Sequence, residues 1–231
     1  PGFGYSTRPG MRLWTPQAQA RLLAKACLAL DVINPVVVGH SMGTQTAFEM
    51  AIDPAYSVRG IVVISGYYFP TPRVDALILA TPAIPVVGHV LRYTVSNLLA
   101  RLAVPRLRRR FFWPRKVEPA FVDAVPAELM VRPWQLRASA EESAFMVPAA
   151  ARLAHHYDAI DAPVEIFGGA DERVVGQRMQ SRRLHEAIPH SHLHLLPGEG
   201  HMLHYQVPEQ IVEAIDRVAH AQPVFGLARR A

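Results

Sequence analysis

A single cysteine, Cys27, stands among 231 residues. No disulfide can form within the chain, and this cysteine usage suits a reducing compartment. Cys27 shares an apolar helical face with Leu23 and Leu30, so it reads as a packed thiol and not as a nucleophile. Lysine is almost as scarce: of 24 basic residues only Lys25 and Lys116 are lysine. The net charge of +5 and the pI of 9.7 therefore come from arginine. That bias, with abundant alanine, reflects base composition more than a polyanion partner, and no nucleic-acid partner is expected. Long uninterrupted apolar runs are also missing. The longest apolar stretch, residues 76–104, is broken by Pro82, Pro85, Arg92 and Arg101. It makes a poor membrane span and a better set of packed helices. No internal repeat, low-complexity tract, secretory signal or transit peptide is visible, and the expected location is cytoplasmic.

What is present is apolar: half of the residues are hydrophobic, ample for one α/β core with an inserted subdomain. Thr15-Pro16 reads as a helix N-cap and first helical residue, opening a helix to about Leu30 with Ala20, Leu23, Cys27 and Leu30 on one face. Val36 to Val38 is a short continuous apolar strand, as expected where both sheet faces are covered. Further strands are predicted at 58–65, 164–167 and 192–196, and helices from Ser41 to about Ile52, over 176–187 and over 208–220. Strands alternating with helices indicate a mostly parallel sheet flanked by helices. Between Pro70 and Leu153 there is no strand alternation, only helical runs at 84–102 and 119–130 broken by prolines. The predicted organisation is a core of residues 1–69 and 154–231 with a helical cap at 70–153.

The strand at Val36 runs straight into Gly39-His40-Ser41-Met42-Gly43. A Gly-x-Ser-x-Gly sequence between a strand and a helix can force a serine into a strained turn with its hydroxyl exposed. The sharp turn brings Gly39 and Gly43 together, and a Cβ at either is expected to collide. Serine is a weak nucleophile and needs a base, and the base needs an orienting acid. Both are sought at strand ends, where open α/β sheets place their ligands. Gly168-Gly169-Ala170-Asp171 follows one strand and Gly198-Glu199-Gly200-His201 the next. His204 lacks the Gly-x-Gly turn and is a weaker base candidate. His192 and His194 share a strand face, but no cysteine or obvious carboxylate accompanies them, and no metal or organic cofactor is expected.

The elbow, the acid after a late strand, the Gly-x-Gly-His turn and the order Ser41, Asp171, His201 together resemble the α/β-hydrolase superfamily. Pro208-Glu209 is similar to the usual start of its last helix, and Pro1-Gly2-Phe3-Gly4-Tyr5-Ser6 resembles its loop after the fourth strand. The resemblance covers residues 1–69 and 154–220. It implies Ser41 as nucleophile, His201 as base and then acid, Asp171 as the group holding the imidazole, and the Met42 N–H as an oxyanion donor. It also implies an α/β-hydrolase fold lacking its first strands, with an apolar open edge on the elbow strand and without the loop that usually carries a second oxyanion donor.

The expected reaction is acyl transfer from a small to medium apolar ester to water. Other chemistry of the superfamily (amide or carbon–carbon bond hydrolysis, cofactor-free peroxidation) stays open, as does a weakly active or non-catalytic hydrolase-like chain. Leu77, Leu79, Ile84, Val87, Leu91, Leu98, Phe111, Phe112, Trp113 and Trp134 are candidates for an apolar pocket wall. The basic run Arg106 to Lys116 reads first as a solvated helix end, with contact to an anionic membrane surface or an acidic substrate as alternatives.

Overall fold

The computed structural model describes residues 1–10, 12–72, 88, 90 and 93–221. Four parallel strands, β1 (Val36–His40), β2 (Gly60–Ile64), β3 (Val164–Gly169) and β4 (His192–Leu196), form one sheet in the order β1-β2-β3-β4. Central β2 alternates cleanly between the two sheet faces, as a period of two requires. Ile61 and Val63 face a core with Phe48, Tyr68, Tyr157 and Leu184. Val62 and Ile64 face a second core with Phe167, Leu203, Ile211 and Val218. Among the described residues β1 lies at the edge of this sheet, and its Val38 is 46% exposed.

α1 (Pro16–Ala29) opens as the sequence predicts, with Thr15 Oγ1 accepting the Ala18 N–H at 3.2 Å and Pro16 in the first turn. Its buried face differs from the expected one. Ala20 and Ala24 pack on Met50 and Tyr56, Cys27 is partly buried beside them, and Leu23 and Leu30 are exposed. Small side chains let α1 approach α2 (Gly43–Ile52) closely, and that contact rotates the helix away from the larger apolar residues.

The connection from β2 to β3 carries α3 (Val95–Phe112), α4 (Pro119–Ala124), α5 (Ala127–Met130) and α6 (Pro133–Leu153). The single run expected over 119–130 is two helices, because Pro126 disfavours helical backbone at Val125, which sits at φ −126° and ψ 74°. α6 was not foreseen as a helix, since its apolar spacing is diluted by alanine. The pocket candidates Leu77, Leu79, Ile84, Val87 and Leu91 lie outside the described residues. The opening loop is tied to α6: Arg8 pairs with Glu141 at 2.6 Å, Arg132 donates to the Gly4 carbonyl, and Arg137 donates to that of Gly10. After β3 comes α7 (Gln177–Ala187), and after β4 come α8 (Leu203–Gln206) and α9 (Pro208–His220). Among the described residues no helix is long and apolar enough to cross a membrane.

Candidate active site

Ser41 has φ 53°, left-handed backbone that a non-glycine residue adopts only under constraint. The constraint is visible. The Ser41 N–H donates to the Ile64 carbonyl at 2.9 Å, anchoring the turn to β2, and the Ser41 carbonyl accepts from the Thr44 N–H and hydroxyl. Glycine is required on one side of the serine only. A Cβ at Gly39 would lie 2.8 Å from Thr44 Cα and 2.9 Å from the Gly43 carbonyl oxygen, whereas one at Gly43 would meet nothing within 4 Å. The expected collision at Gly43 is therefore corrected: Gly43 already belongs to α2, and its hydrogen points away from the strand.

His201 Nε2 lies 3.0 Å from Ser41 Oγ. Its Nδ1 lies 3.0 Å from an oxygen of Glu172. The expected acid, Asp171, is elsewhere. It is exposed, one oxygen accepts the Gly198 N–H at 2.6 Å, and Arg178 is 3.8 Å from the other. The error is one of register. Gly168 and Gly169 both precede an acid at the same spacing, Gly168 to Asp171 and Gly169 to Glu172, and the chain uses the second pair. The backbone leaving β3 turns Asp171 outward and Glu172 inward.

Glu172 is held by backbone. One carboxylate oxygen accepts the N–H groups of Val175, Gly176 and Gln177 at 2.9, 2.6 and 3.2 Å, and the other accepts that of Val174 at 3.2 Å. Three of these donors lead into the N-terminus of α7, where the helix dipole also favours negative charge. Burial by itself would raise the carboxyl pKa. The hydrogen bond and charge of His201, with the N–H groups, outweigh it and hold the group below the ordinary carboxylate range. An ionised Glu172 accepts the proton of Nδ1, which leaves Nε2 free to accept from Ser41.

The turn carrying His201 is pinned from outside as well. The His201 N–H donates to the Phe111 carbonyl at 3.2 Å, and a Cβ at Gly200 would sit 1.9 Å from the Trp113 carbonyl oxygen. His40 Nε2 donates to the His201 carbonyl at 2.9 Å. The His40 ring lies 5.0 Å from that of His201 and 4.4 Å from that of His204. Burial, then His201 and His204, pull the His40 pKa down to about 3, so this ring is neutral beside His201. His204 is lowered by burial and by His201. It flanks the site without contacting Ser41, consistent with its weaker candidacy as the base.

Of the four aromatic candidates, Phe111 reaches the site, its ring 5.6 Å from that of His201. Phe112 does not: it is fully buried and packs on Phe121 and Met202. Trp113 lies under the Arg173 guanidinium at 4.0 Å, and Trp134 is 46% exposed near the start of α6. The Met42 side chain is half-buried against Tyr67, Met146 and Ala150, and its N–H opens the turn into α2. A small, partly open pocket borders Met42, Gly43, Gln45, Pro16, Gln19 and Glu142. His192 and His194 do have a carboxylate partner, which the sequence reading missed: both donate to Glu165, one strand away on β3. Arg217 occupies the same carboxylate, and among the described residues no cluster of His, Cys, Asp and Glu is arranged to hold a metal ion.

Residues 1–214 match the model of the alpha/beta hydrolase family. The chain is similar to RutD of Escherichia coli (strain K12 / DH10B), a candidate carbamate hydrolase, at 24% identity over 205 residues. That match covers 81% of this chain and spans 66% of the length of RutD. Among solved structures, the esterase EaEST of Exiguobacterium antarcticum superposes with a TM-score of 0.73 at 16% identity, covering 94% of this chain and 78% of that one. The esterase RhEst1 of Rhodococcus sp. ECU1013 gives 0.71 at 20% identity, covering 96% and 78%. At such identities the two structures speak to the fold alone. The family match over most of the chain, joined to the parallel sheet and the strained serine elbow, shows that this chain belongs to the α/β hydrolase family.

Proposed function

We propose that the protein is a serine hydrolase in which Ser41 is the nucleophile, His201 the general base and then acid, and Glu172 the carboxylate that orients the imidazole. The observation that carries this reading is the unbroken line from Glu172 through His201 to Ser41, with two contacts of 3.0 Å. His201 takes the Ser41 proton as Oγ attacks a carbonyl carbon. Glu172 stabilises the imidazolium that forms, and the Met42 N–H donates to the oxyanion. His201 then protonates the leaving group, an acyl-enzyme remains, and water activated by the same imidazole releases the acid. The substrate class is a small to medium apolar ester. Phe111 beside the base and the helices inserted after β2, acting as a cap, support an apolar pocket wall. The likeness to RutD favours a second reading, a carbamate, which the same acyl chemistry would accept.

A fluorophosphonate probe tests the nucleophile. Labelling of the native chain that disappears in Ser41→Ala supports it, while a folded chain that takes no label overturns it. Hydrolysis of a matched series of apolar esters and carbamates then decides between the two substrates.

A further inference from the structure

Helix α3 contains five arginines and no acidic residue. Its inner face is satisfied: Val104 and Phe112 are buried, Asn97 donates to the Val131 carbonyl, and Arg108 to that of Val125. Among the described residues nothing covers the outer face. Leu98, Leu99 and Leu102 are 62, 59 and 64% exposed. Leu98, Leu102, Arg106 and Arg109 follow at steps of four, four and three residues and so form one line along the helix. Both arginines are exposed. Trp113, 42% exposed, lies just past the helix end.

An apolar row that continues into cations on the same outward line has two halves to match. A surface of aliphatic chains beneath a layer of negative headgroups matches both, whereas a nucleic acid would leave the leucines in water and an apolar protein face would leave the arginines unpaired. We propose that the outer face of α3 adsorbs onto anionic lipid bilayers, with Leu98, Leu99 and Leu102 entering the interface and Arg106 and Arg109 pairing with headgroup phosphates. The proposal is independent of the hydrolytic reading but bears on it by position. The last turn of the same helix carries Phe111, whose carbonyl accepts the His201 N–H at 3.2 Å, so an adsorbed molecule holds its catalytic end close to lipid-dissolved substrate.

Co-sedimentation of the full chain with vesicles of phosphatidylcholine, with and without phosphatidylglycerol, tests the proposal. Binding to the anionic vesicles is expected to exceed binding to the neutral ones by about tenfold or more and to weaken as salt is added. Leu98→Ser/Leu99→Ser/Leu102→Ser and Arg106→Glu/Arg109→Glu should each lower it about tenfold with unchanged circular dichroism, because all five side chains are exposed in the native fold. Equal binding to both vesicles, or none, overturns the proposal. So does binding that survives the triple serine variant, which would be charge attraction alone. A dimer in light scattering that this variant dissolves, without vesicle binding, assigns the face to a second copy and equally overturns it.

Discussion

Two buried glutamates, seven residues apart, bracket the carboxyl half of β3 and are held in opposite ways. Glu165 lies within the strand and is gripped by side chains: His194, Arg217 and His192 all donate to its carboxylate. Glu172 lies beyond the strand end and is gripped by four backbone N–H groups and one side chain, His201. Burial pushes both pKa values up, and in both the hydrogen bonds win, bringing Glu165 to about 2 and Glu172 below its ordinary range. The difference lies in what each can offer. Glu165 is saturated by three donors, Arg217 among them as a permanent cation, and both His192 and Arg217 reach solvent. Glu172 has its position fixed by the loop and keeps a single titratable partner, so it can direct that partner's proton. A backbone cage positions a carboxylate without competing for its function, whereas a ring of side-chain donors consumes it.

Replacing each glutamate in turn tests this division. Glu172→Gln should cost about 10⁴-fold in kcat with the fold intact, since an amide oriented by the same N–H groups supports the wrong imidazole tautomer. Steady-state kinetics of Glu172→Gln beside Asp171→Asn measures it, and a larger loss in the Asp171 variant would break the assignment. The next largest effect is on stability. Glu165→Gln should leave kcat within about twofold but destabilise by about 1–3 kcal/mol, because the hydrogen bonds to charged partners weaken and Arg217 loses its counterion. Urea unfolding reads this, and an equal loss of activity would make Glu165 part of the site.

The acid limb sharpens the comparison further. Glu165 has a folded pKa below its unfolded value, so its stabilisation is complete above about pH 4.5 and is lost as the pH falls toward 2. His40 is also depressed, from 6.5 to about 3, so the unfolded chain takes up its proton first and stability declines as the pH falls from 6.5 toward 3. Thermal unfolding followed from pH 7 to 3 should therefore show a slope that flattens in His40→Gln and persists in Glu165→Gln, which loses only the added steepening below about pH 4.5. The smallest effect is expected of Asp171→Asn, a loss of kcat within about threefold, since the Gly198 N–H still finds an oxygen.

Much of the molecule was legible in its residues. Four strands and the helices at Pro16, Gly43, Gln177 and Pro208 stand close to where apolar period, N-cap and proline signals put them, because these signals act within a few residues. Ser41 and His201 were legible for the same reason: each sits in a short glycine-framed turn. The acid was not. Asp171 and Glu172 are chemically alike neighbours, and which one faces inward depends on the pairing of β3 with β4 and the turn that follows. The buried face of α1 was missed because it is set by its close contact with α2, and α6 because alanine carries little periodic signal. Phe111 and Phe112 look equivalent in sequence, yet one faces the His201 ring and the other fills a core.

The sequence by itself determined the parallel sheet, the strained elbow and the two glycine-framed turns that carry Ser41 and His201, all products of local stereochemistry and apolar spacing. Only the tertiary structure decided which carboxylate completes the line, that His40 reaches the His201 carbonyl, and that α3 turns its leucines outward. Those outcomes depend on where segments 17 to 161 residues apart come to rest, and short-range preferences carry no information about that.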